Sequence, residues 1–175
     1  MLNLMSVEKR FGELPALSGV TAFFGRNETV GLVGPNGSGK STLVNVVTAM
    51  YGPDGGRVLF RGADITNDEP HRISRMGIAR TFQNLRLFPR MTVLGNVEAA
   101  QYGMPGNGFF RILPADRRIA RNLRRKAERA VVQVGLQDVR NRLASSLPLP
   151  QLRRLEIARV LARDPELVFL DEPAG

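Results

Sequence analysis

Cysteine is absent from all 175 residues, which excludes a disulfide framework and any thiolate metal site. Histidine is nearly absent too, with His71 the only one. No apolar run approaches the roughly 18 residues needed to cross a bilayer. The opening MLNLMSVEKRF reaches Glu8, Lys9 and Arg10 too early for the apolar segment of a secretory leader. The expectation is therefore a cytosolic chain. Acidic residues are also scarce, 16 against 25 bases, for a net charge of +9. The rest is ordinary for a globular protein: 43% hydrophobic and 23% charged. A chain of this length suits one domain that buries roughly 70% of its unfolded surface.

The positive charge is concentrated. Between Arg111 and Arg129 stand eight bases and two acids, which is +6 of the +9. Such a block suits nucleic acid or an anionic membrane; the plainer reading is a solvated helix face. The plainer reading is favoured by Ile119, Leu123, Ala127, Ala130 and Val134, whose spacing draws one apolar stripe that the arginines mostly avoid.

Along the chain, LNLMSV alternates, and Leu17–Phe24 and Glu28–Val33 are rich in strand-forming residues. GPDGG marks a turn before the short strand RVLF. Leu43, Val46, Val47 and Met50 predict a helix over Ser41–Met50. HRISRM predicts a short helix stopped by Gly77, and IARTFQ a strand. Met91 to Leu143 is mostly helical in pattern, then QLRRLEIARVLA is a further helix. The apolar run Leu167–Leu170 predicts a buried parallel strand. The layout is α/β with an inserted helical subdomain.

Two motifs carry chemistry. GPNGSGKST (Gly34–Thr42) fits G-x-x-x-x-G-K-[ST]. Its glycines let the backbone wrap a phosphate chain, with amides pointing inward as an anion nest. Lys40 supplies a positive charge for β- and γ-phosphates, and the Ser41 hydroxyl can coordinate Mg²⁺. The helix that follows turns its positive end to the same place. A chance glycine-rich turn is the alternative, but an apolar run before and an amphipathic run after argue against it. In LVFLDEP, Asp171 emerges at the carboxyl end of a strand, where open α/β sheets bind ligands and a carboxylate can hold Mg²⁺. Glu172 beside it can activate water. Alone, an Asp-Glu pair after a strand is most simply a helix cap; the phosphate loop upstream shifts the reading to an NTPase. Gln83, ending IARTF, is either an exposed loop residue or a side chain that contacts Mg²⁺ or water. Phe11 is either core or a ring that stacks on a purine.

In order along the chain, GPNGSGKST, the Gln of RTFQN, RRLEIARVLARDP and VFLDEPAG resemble the nucleotide-binding subunit of an ABC transporter. The stretch Asp64–Val97 and LEIAR resemble more closely the ATP-binding subunits of branched-chain amino acid importers, the longer of their two. The resemblance covers essentially the whole chain. It implies a P-loop NTPase with an N-terminal antiparallel β subdomain, a core formed by 1–86 and 163–175, and a helical subdomain over 87–162. It implies ATP and Mg²⁺ as cofactors, held by Phe11 (adenine stacking), Gly34, Asn36, Gly37, Ser38, Gly39, Lys40, Ser41 and Thr42. Ser41, Gln83 and Asp171 fall to the metal, and Glu172 and Gln83 to catalysis and coupling; His71 gets a surface role only. The implied partners are a second ATP-binding subunit, as a heterodimer, and membrane permease subunits at the cytoplasmic face of the membrane, with no nucleic acid.

Two departures bear on activity. The family has a signature like LSxGQ ahead of RRLEIAR; here its Ser and Gly positions fall on Pro148 and Pro150. Proline has neither hydroxyl nor N–H, yet is tolerated in a first helical turn. The expectation is an intact helix with a weakened contact to ATP held by the opposite subunit. The sequence also stops at Gly175, whereas the resemblance implies further strands and a switch histidine. A fragment, or a product unable to hydrolyse ATP normally and poorly soluble through an exposed sheet edge, is expected. The alternatives are thus a transport ATPase, a module that binds ATP without turnover, and an ABC-type ATPase acting on nucleic acid.

Overall fold

The alternation of Leu2, Leu4 and Val7 determines the first element. In the computed structural model, which describes residues 1–81, 85–102 and 117–170, β1 (Leu2–Phe11) buries these three side chains. A strict period of two would bring Ser6 inward after Leu4. Instead Ser6 takes φ 49°, and the register shifts toward both neighbouring strands near this point. The bulge delivers Val7 to the core. β2 (Leu14–Phe24) and β3 (Gly55–Phe60) flank β1, and β4 (Ala63–Asp64) follows β3. The sheet is antiparallel throughout, in the order β2-β1-β3-β4.

Two compact units divide the chain, Met1–Met76 and Gly77–Gly175. The first also holds α1 (Lys40–Val47) and α2 (Pro70–Arg75), whose leading proline suits a first helical position. α1 ends before the expected Met50. Ala49 turns to φ 56°, its N–H bonds the Val46 carbonyl at 3.0 Å, and the Met50 N–H bonds Asn45 at 2.8 Å. This paired closure ends a helix with a left-handed residue. The strand expected over Glu28–Val33 does not form: it pairs with no strand among the described residues, and residues 28–33 are exposed. Residues with high strand propensity still need a neighbour for their backbone groups, and none is described beside them.

In the second unit, β5 (Ile78–Arg80) pairs in parallel with β6 (Leu167–Phe169). The Thr81 N–H extends the ladder to Phe169 O at 3.0 Å. β6 is half-buried, not buried as its apolar run suggests; two strands alone leave part of each face uncovered. α3 (Val93–Ala99), α4 (Arg117–Gln133) and α5 (Leu149–Leu161) enclose a core that includes Val93, Val97, Ala127, Ala130, Leu155 and Ala158. On α4, Leu123, Ala127 and Ala130 are buried as the stripe predicts, and Val131 joins them. Asn96 is fully buried on α3. Its carboxamide accepts the Phe88 N–H at 2.8 Å and donates to Phe88 O at 2.9 Å, which ties residues 88–92 down.

Gly56 lies opposite the Ser6 bulge at φ 79°. A Cβ there would come within 2.2 Å of Ser6 O and 2.5 Å of Met5 O. Gly56→Ala should therefore destabilise the protein by about 3 kcal/mol, combining a strained φ with a backbone clash. Urea denaturation measures this; a loss under about 1 kcal/mol would mean the bulge relaxes freely.

Candidate functional site

The loop Gly34–Thr42 leads into α1 through Gly39, the residue that caps the helix at φ 88°. A Cβ on Gly39 would lie 2.5 Å from Ala16 O and 3.1 Å from the Leu17 side chain. Only glycine lets the helix start this close to β2. The Leu43 N–H then bonds Gly39 O at 2.8 Å, and the Ser38 N–H bonds Pro35 O at 3.2 Å, closing the turn ahead of the helix.

Lys40 reaches back over this loop. Its ammonium donates to Gly34 O and Pro35 O, each at 2.7 Å, with Ser38 Oγ at 3.5 Å. Gly34, Asn36, Gly37, Ser38 and Ser41 are exposed, and Gly39, Lys40 and Thr42 are half-buried. No acidic residue stands in the first turn of α1, and no side chain caps it. The positive end of the helix dipole is thus uncompensated by protein charge. The donor set is one ammonium, backbone amides, the Asn36 carboxamide and three hydroxyls, with no carboxylate. That chemistry suits a polyphosphate. An exposed Ser41 hydroxyl suits Mg²⁺, which takes few protein ligands and completes its shell with water and phosphate. Among the described residues no group of three or more His, Asp or Glu gathers as a metal cage.

Phe11 ends β1 opposite Leu14, while Lys9 stands opposite Leu17. Ala16, on which Gly39 rests, lies between those two pairs. The register therefore sets Phe11 and the start of α1 at one end of the same hairpin. Phe11 is neither core nor isolated: it is 45% exposed, and its ring meets Tyr51 edge-on at 5.4 Å. The Lys9 ammonium lies 5.9 Å from the ring centroid. Asp54 braces this end. It pairs with Lys9 Nζ at 2.8 Å and accepts the Arg10 N–H at 2.6 Å. Sequence reasoning missed Tyr51 and Asp54. Tyr51 follows α1 with no motif around it, and Asp54 reads only as part of a GPDGG turn. His71 is exposed on α2, its ring 2.9 Å from Glu69.

Gln83, Asp171 and Glu172 lie outside the described residues. Their surroundings are described in part. Asp171 directly follows Leu170, just past β6. The segment after Gln83 is held from α5: the Arg159 guanidinium donates to Arg86 O and sits 5.4 Å over the Phe88 ring. Burial pushes the Arg159 pKa below its usual value, with Glu156 partly opposing the shift.

At the entrance to α5, Pro148 is the cap, with φ −68° and ψ 156°, and Pro150 falls in the first turn. The Gln151 and Leu152 N–H groups both bond Pro148 O, at 2.9 and 3.1 Å. The helix is intact. Of residues 148–150 only Leu149 carries an N–H.

Comparison with known proteins agrees on one lineage. The family described as ABC transporter matches residues 17–175. The chain is 40% identical, over 100% of its length and 70% of the relative's, to the high-affinity branched-chain amino acid transport ATP-binding protein LivG of Escherichia coli. It is 39% identical over the same shares to BraF of Pseudomonas aeruginosa, which bears the same description. Among solved structures, the twinned form of MJ1267, an ATP-binding cassette of an ABC transporter, superposes with TM-score 0.83 at 36% identity, covering 100% of this chain and 70% of that one. A dimeric bacterial ABC transporter cassette, MJ0796, gives 0.80 at 28%, covering 100% and 75%.

The brace at Phe11 has a pH signature. The Lys9 hydrogen bond, then the Arg10 N–H, lower the Asp54 carboxyl below its usual value near 3.8. A lowered folded-state pKa stabilises fully above the unfolded value and fades as pH falls through the folded one. Asp54→Asn should flatten the acid limb of a stability-versus-pH curve below about pH 4. Parallel curves for the two proteins would show that the pairing contributes nothing.

Proposed function

The chain belongs to the ABC transporter family, and we propose that it is the ATP-binding subunit that energises branched-chain amino acid import through a membrane permease. The observation that carries this is a carboxylate-free phosphate loop on α1, in a chain 40% identical from end to end to relatives named for that transport. In this reading Lys40 exchanges its Gly34 and Pro35 carbonyls for the β- and γ-phosphates. Amides of Gly37, Ser38, Gly39 and Lys40 surround the phosphate chain, with Asn36 at its margin and Thr42 toward the α-phosphate. Phe11, steadied by Tyr51 and Lys9, offers its ring to adenine. Ser41, Gln83 and Asp171 are the residues that would hold Mg²⁺, which neutralises phosphate charge when bound. Glu172 takes the proton of the attacking water.

The partners in this reading are permease subunits and a second, non-identical ATP-binding subunit, at the cytoplasmic face of the membrane. No helix among the described residues is long and apolar enough to cross a bilayer. The entrance of α5 would face the companion's ATP. There Pro148 and Pro150 remove a hydroxyl and two amide N–H groups from the charge-stabilising set. This favours a second reading for that half of the dimer: nucleotide is bound without efficient turnover.

Two measurements test these readings. Lys40→Ala should weaken Mg-ATP binding by calorimetry on the order of a hundredfold, as expected for loss of a charge-assisted phosphate contact. Unchanged affinity would remove the loop from the site. Pro148→Ser with Pro150→Gly, assayed with companion and permease, should raise hydrolysis about 10²–10³-fold, the usual worth of a preorganised donor. Equal rates before and after would refute the impaired half.

A further inference from the structure

In sequence, Gln83 falls between two ties. Upstream, the Thr81 N–H joins the β5–β6 ladder at Phe169 O, 3.0 Å away. Downstream, the Arg159 guanidinium of α5 donates to Arg86 O and lies 5.4 Å over the Phe88 ring. Residues 85–88 belong to no helix or strand, so side chains reaching out from the helices replace the ladder that holds β5. Asn96 of α3 clasps the Phe88 backbone, and Arg159 acts two residues closer to Gln83. With the tie at Arg86 the Gln83 backbone stands at most about 10 Å from its downstream anchor. With only the tie at Phe88 that reach grows to about 17 Å.

We infer that Arg159 is a positioning residue for Gln83: it fixes the downstream end of the segment through which this subunit senses its permease. The inference rests on the reading of Gln83 as the coupling residue. Stability alone does not account for an arginine at this place. Burial disfavours its charge, and its Nε is buried with no acceptor among the described residues. A guanidinium kept only for stability would use its donors fully. This one is committed to a carbonyl and a ring of one irregular stretch, on the side of that stretch nearer Gln83.

Amide hydrogen exchange on the whole chain, and ATP hydrolysis with companion and permease, test this together. Arg159→Met should speed exchange over residues 82–88 about tenfold, the worth of one charge-assisted hydrogen bond. It should lower the ratio of permease-stimulated to permease-free hydrolysis by a similar factor. Arg159→Lys keeps the charge that interacts with Glu156, which guards against a fold defect. It loses the planar fork and should lower the ratio about threefold. Gln83→Ala, run in parallel, separates the two levels. If it loses stimulation while both Arg159 variants keep theirs, the positioning role alone is refuted. If it keeps full stimulation, the coupling reading falls and this inference with it. Unchanged exchange over 82–88 would also overturn the proposal. So would a fall of both rates at constant ratio, the mark of a merely structural side chain.

Discussion

The nucleotide-binding half of this molecule depends on one close approach. At Gly39 the backbone starting α1 rests against the Ala16 carbonyl, with no room for a methyl group between them. That contact seats the helix, and with it the loop and Lys40, on the β1–β2 hairpin. It also sets the distance between the loop and the aromatic end of the hairpin. Without it α1 would have no fixed origin, and its dipole would point at no particular place. The bulge at Ser6 serves a similar purpose lower on the same sheet, since it keeps Val7 inside while β1 continues to Phe11.

The second unit is organised around α5. Its apolar side joins α3 and α4, and Arg159 reaches the stretch that follows Gln83. One helix therefore carries at its entrance the residues that would meet a neighbouring subunit's nucleotide, and about three turns later a grip on the segment that follows Gln83. The two prolines alter the first of these without disturbing the second. Chemistry at the interface can thus be lost while the mechanical frame is kept. The proposed heterodimer would tolerate such a loss, because its other half-site would draw its signature from the companion.

Much of this was legible in the residues. The stripe on α4 follows from side-chain spacing, and the phosphate loop from local geometry that few sequences satisfy. Both depend on neighbours within one or two turns. Glu28–Val33 was misread because strand propensity reports what a segment tolerates, not whether a partner lies alongside. β6 was expected to be buried for the same reason: apolar content says nothing about how many layers cover it. Tyr51 and Asp54 escaped notice because they act on β1 from about forty residues away. No local pattern encodes that pairing, and only the folded register brings it about.

The exposed stretch after β2 carries a further implication. Five exposed residues, Thr29 to Val33, carry no charge, are rich in strand-forming side chains and join no ladder among the described residues. Such a ribbon would invite stacking with copies of itself. It is bounded by Glu28, whose carboxylate is folded onto the Gly25 amide, and by Pro35, which cannot donate to a ladder. These two residues act as gatekeepers, a charge on one side and a missing donor on the other, flanking a hydrophobic segment of the length at which such protection matters. Selection on that stretch would then act as strongly on its ends as on its apolar centre.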